Sequence, residues 1–68
     1  MGKPKSVIIQ NGSKVIKELC VFNKGNFLEY AIKLGPNHYY VISKERFDNI
    51  ITEARANGYD VYDYTTFD

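Results

Sequence analysis

Phe27-Leu28-Glu29-Tyr30-Ala31-Ile32-Lys33-Leu34 alternates with a period of two. Leu28, Tyr30, Ile32 and Leu34 fall on one side of an extended chain, and Glu29 and Lys33 fall on the other with Phe27 and Ala31. Successive side chains of a strand point to opposite faces, so this pattern describes an antiparallel sheet with one packed face and one wet face. The packed face needs a cover, and the residues after position 43 supply one. Phe47, Ile50, Ile51 and Ala54 recur at i, i+3, i+4 and i+7, which sets them in a single stripe of a helix. Ser43 suits the N-cap, Glu45 the first turn and Arg55 the last turn of that helix. Asn57-Gly58 supplies a left-handed stop. The expected helix therefore covers residues 44–57 and lies on the Leu28/Tyr30/Ile32/Leu34 face.

Upstream, Ser6 to Gln10 is a short β-branched run closed by Asn11-Gly12, a pair that suits the two positive-φ positions of a type I′ hairpin turn. Lys14 to Phe22 forms the next strand, and Asn23-Lys24-Gly25-Asn26 turns the chain back. Gly35-Pro36-Asn37 makes a further turn, because Pro36 has no amide to give to a ladder. His38 to Ile42 is then the fourth strand. Downstream of the helix, Tyr59 to Tyr64 reads as a short edge strand. Residues 1–5, with Gly2 and Pro4, read as a flexible basic arm. The expected fold is α+β: an antiparallel β-meander of three to four strands packed against one α-helix, with a short C-terminal edge strand. It forms a single small domain over residues 1–68, and the place of the N-terminal strand in the sheet stays open.

A chain of 68 residues builds only a thin core. Disulfides or a structural metal often reinforce such a core. Here Cys20 is the one cysteine and His38 the one histidine, too few for a disulfide within the chain or a zinc site. No metal or other cofactor is expected, which leaves packing or a homodimer as the source of further stability. The sequence contains no run of about 18 apolar residues, so no membrane association is expected. A lone thiol with no signal peptide points to a reducing compartment and a cytoplasmic location.

Catalysis lacks its inventory. His38 has no acid and nucleophile set around it, Cys20 lies mid-strand where a thiol serves as a small apolar residue, and the glycines are scattered at turns. No catalytic residue is assigned, and the chain is expected not to be an enzyme. Binding is better supplied. Tyr39, Tyr59, Tyr62 and Tyr64 are the candidate partner-binding residues: tyrosine offers a large rigid surface and a hydroxyl at small entropic cost. The competing reading is that these rings patch a thin core and cover its rim. The leading expectation is a small protein-interaction module, binding a protein partner through a sheet edge and a Tyr-rich surface. Short cofactor-free chains of this kind are common among the accessory proteins of phages and mobile elements.

Charge supplies the alternative. Residues 1–34 carry six lysines against two glutamates, and residues 35–68 carry three basic against six acidic residues. Lys3, Lys5, Lys14, Lys17, Lys24 and Lys33 would form a nucleic-acid-binding set on the first strands and the arm. Three antiparallel strands followed by a helix is similar in element order to the arm-site-binding domains of phage integrases and to the plant AP2 domain, which lay a sheet in the DNA major groove. The net charge of +1 and the absence of arginine from the expected sheet weigh against that alternative.

Overall fold

The structure, a computed structural model, describes residues 4–65. Lys3, one of the candidate lysines, lies outside the described residues. Along the chain come β1 (Lys5–Asn11), β2 (Lys14–Asn23), β3 (Leu28–Gly35), β4 (His38–Ile42), α1 (Lys44–Ala56) and β5 (Asp60–Asp63). The fold is α+β, one five-stranded antiparallel sheet in the order β4-β3-β2-β1-β5 with a single helix. Lys5, expected in the N-terminal arm, begins β1.

The first four strands form the expected meander, and β5 is the expected short C-terminal edge strand, placed beside β1. Because β4 and β5 occupy opposite edges, α1 has to carry the chain from one side of the sheet to the other. Its 13 residues span about 20 Å, which matches the roughly 19 Å taken by four interstrand steps. That crossing leaves β1 in the interior, between β2 and β5. No helix among the described residues is long and apolar enough to cross a membrane.

The ends of α1 follow from local chemistry. Ser43 Oγ accepts a hydrogen bond from the Arg46 amide at 3.1 Å, satisfying one orphan donor of the first turn. At the other end Gly58 sits at φ 80°, its amide donates to the Arg55 carbonyl, and the Tyr59 amide donates to the Ala54 carbonyl. Those paired bonds make a Schellman stop, whose left-handed residue is easiest for glycine. The helix thus ends one residue short of the expected 57, with Asn57 as its cap.

Phe47, Ile51 and Ala54 of α1 meet Val7, Ile9, Leu19, Val21, Ile32 and Ile42 of the sheet in one buried cluster, with Tyr30, Ile50, Tyr59 and Val61 packed against it. The Tyr30 and Phe47 rings lie 4.8 Å apart and tilted. Two of the four residues expected on the packed face are not in this core. Leu28 opens its strand and is 41% exposed, and Leu34 is 59% exposed. Leu34 has no partner in the β3–β4 register, which slips between Lys33 and Gly35, so this bulge takes it out of the packed row. The first turn also differs from expectation. Asn11 pairs with Lys14, so Gly12 and Ser13 are the central residues. Only Gly12 has positive φ, at 66°, the sign pattern of a type II′ turn, which spares Ser13 the left-handed region that a type I′ turn would demand.

Candidate functional site

The side of the sheet away from α1 holds most of the candidate tyrosines. Alternation puts Val7, Ile9, Leu19, Val21 and Ile32 toward the helix, so their neighbours along each strand point away from it. The strand registers then order those neighbours into rows. Val41 pairs with Ala31, Ala31 with Cys20, and Cys20 with Ser6. Tyr64 continues that row, its amide donating to the Ser6 carbonyl at 2.9 Å. The adjacent row runs Tyr39, Lys33, Glu18, Ile8 and Tyr62.

This face was expected to be wet, yet its centre is covered. Ala31 is 0% exposed and Cys20 is 2% exposed, although neither belongs to the helix-side cluster. The cover is aromatic: Phe22 and Tyr39, from strands on either side of β3, meet edge to face with ring centroids 5.1 Å apart. Ala31 lies between them in the register, and its small side chain leaves room for the two rings. Lys24 Nζ stands 5.5 Å from the centre of the Phe22 ring, within cation–π range. Lys33 and Glu18 form a half-exposed ion pair at 3.8 Å across β2 and β3. Burial pushes the Cys20 thiol above its ordinary range and Glu18 adds to this, while a hydrogen bond with Ser6 and the charge of Lys33 oppose it. A thiol so placed is a packing residue.

Tyr39, Tyr62 and Tyr64 thus share one face, with Tyr39 at the β4 edge and the other two at or beside β5. Tyr62 is 43% and Tyr64 59% exposed. Tyr59 does not join them. It follows the helix stop and packs against the core, so its ring is committed to holding α1 on the sheet. Ile8, Phe22 and Val41 complete the face and were not among the residues singled out from sequence. Period-two reading of Glu18, Cys20 and Phe22 in β2 would have signalled Phe22.

The lysines do not converge. Lys33 is on the helix-free face, paired with Glu18. Lys5 and Lys17 fall on the helix side, in register with Val21 and Ile9. Lys14 and Lys24 flank the two ends of β2, a ten-residue strand about 30 Å long.

Two grooves flank α1 on the other side of the sheet. The larger, about 450 Å³, has Tyr30 and Phe47 in its lining with Lys44, Asp48, Arg55 and Asp63. Lys44 and Asp48 are paired at 2.8 Å. The smaller, about 130 Å³, lies by Ile16, Ile50 and Tyr59. Among the described residues no group of three or more His, Cys, Asp and Glu side chains is placed to hold a metal ion. Comparison with family models, with curated proteins and with solved structures gave no match.

Proposed function

We propose that this chain is a small non-catalytic interaction module, an adaptor, inhibitor or regulator, acting in the cytoplasm. It docks a protein partner on the helix-free face and the β5 edge beside it. The observation that carries this reading is the composition of that face. A solvated sheet face normally alternates to polar residues; here Ile8, Phe22, Tyr39, Val41, Tyr62 and Tyr64 are apolar or aromatic, against four charged residues, Glu18, Glu29, Lys33 and Asp60, and the polar Ser6 and Gln10. Aromatic residues on a rigid sheet are the usual anchors of protein interfaces. Tyr62 and Tyr64 are its exposed members at the β5 edge.

The test compares capture of partners from the source cell by the immobilised chain and by its Tyr62→Ala/Tyr64→Ala variant. The expected outcome is loss of the captured protein with an unchanged circular dichroism spectrum, and retention of capture by the variant would sink the reading. The nucleic-acid alternative rests on the lysines, and their spread over both faces and both ends of the sheet gives it no added support. Fluorescence anisotropy of a labelled random duplex separates the two. Binding at low salt that falls steeply as salt rises would replace the protein-partner reading with the nucleic-acid one.

A further inference from the structure

The two edges of the sheet differ in a way that bears on self-association. β5, Asp-Val-Tyr-Asp, is bracketed by Asp60 and Asp63. Pairing it with its own copy would gather four carboxylates, the kind of edge charge that blocks strand addition. β4, His-Tyr-Tyr-Val-Ile, carries no acid, lysine, arginine or proline, and it pairs with β3 on one side only. Among the described residues no strand lies opposite its backbone donors and acceptors on the other side. Large apolar side chains flank that open edge on both faces: Tyr40 on the helix side and Val41 on the other are each 58% exposed. The chain leaves β4 across the sheet, through α1, and so runs away from this edge.

We propose that the β4 edge pairs with β4 of a second copy, antiparallel across a two-fold axis, to give a continuous ten-stranded sheet. An antiparallel pair is intrinsically two-fold symmetric, so one edge can serve both partners. The pleat restricts the register, since residues opposite one another must point to the same face. Only pairings with even number sums satisfy this, and the one centred on Tyr40 overlaps all five residues of β4. It sets Tyr40 against its own copy on the helix side and Tyr39 against Val41 of the second copy on the helix-free face. Aromatic and aromatic–β-branched pairs are the favourable cross-strand combinations, and no charged residue of β4 meets another. The axis is perpendicular to the sheet, so both helices lie on one face and the two helix-free faces become continuous. Tyr62 and Tyr64 sit at the far edges of this dimer, so loss of the foreign partner proposed above leaves the dimer intact, and the reverse holds.

Sedimentation equilibrium over micromolar to millimolar concentrations tests the pairing. The wild-type chain is expected to reach twice its 7.8 kDa mass. Tyr40→Lys and Tyr40→Glu each set like charges face to face at the axis, and each is expected to weaken association by about tenfold or more. An equal mixture of the two variants is expected to restore it. Circular dichroism confirms that each variant is folded. A wild-type chain that stays at 7.8 kDa throughout, an association that withstands Tyr40→Lys, or a mixture that stays monomeric overturns the proposal.

Discussion

Asp63 shows how single groups tune this small domain. Its carboxylate accepts from the Thr65 amide at 2.8 Å and from the Thr65 hydroxyl. Those two bonds favour the charged form and hold Asp63 below its ordinary value of 3.8, with Arg55 adding a smaller pull and partial burial opposing them. A carboxyl depressed in the folded state contributes stability that is complete above its unfolded pKa and fades as pH falls through the lower, folded value. Asp63→Asn is therefore expected to destabilise the chain at pH 7 and to flatten the acid limb of its stability curve below about pH 4. Urea midpoints measured across that range check it, and parallel curves for the two chains would refute the assignment. Residues with a strong local preference were legible before the structure: Ser43 as cap, Pro36 in its turn, Gly58 at the stop. The Gly12-Ser13 turn was not. Asn11-Gly12 and Gly12-Ser13 both satisfy hairpin chemistry, and the choice between them depends on which pairs close the ladder.

At the level of elements, the stripe on α1 makes an ordered prediction. Ile51 is 8% exposed and Ile50 only partly buried at the rim of the cluster, so truncation at Ile51 is the more damaging. Ile51→Ala is expected to cost about 2–5 kcal/mol, and Ile50→Ala clearly less. Chemical denaturation of both variants reads the order, and the reverse order would mean that the helix is rotated about its axis. Period-two and period-3.6 patterns made the strands and the helix legible because they record which side of an element is apolar. They do not record what lies opposite. β3 announced two faces, and the face with Glu29 and Lys33 was read as wet; the structure covers its centre because Phe22 and Tyr39, from two other strands, close over Ala31. For the same reason a count of lysines could not show that Lys17 and Lys33 point to opposite sides of the sheet. Tyr59 looked like part of an edge strand, whereas the helix stop turns it against the rim of the core.

On the scale of the whole molecule, the strand order was the least legible feature. The β1–β2, β2–β3 and β3–β4 pairs join sequence neighbours through short turns, and each turn has its own residue signals. The β1–β5 pair joins the two ends of the described chain and has no local signal. That pair also separates the molecule in time. The meander and α1 assemble from contacts between near neighbours, whereas Val7 can meet Asp63 only by closing almost the entire chain into a loop. β5 is short, half-exposed and held by one neighbour, so it is expected to dock after the rate-limiting barrier. Val61→Ala, which thins its contact with the core, should then speed unfolding in stopped-flow chevrons while leaving the refolding limb nearly unchanged. Slower refolding would place β5 in the nucleus instead. Late docking has a further consequence for β1. Until β5 arrives, the apolar strand Lys5–Asn11 is itself an open edge, so the nascent chain passes through an interval in which it presents two adhesive borders, β1 and β4, before the acidic β5 seals one of them.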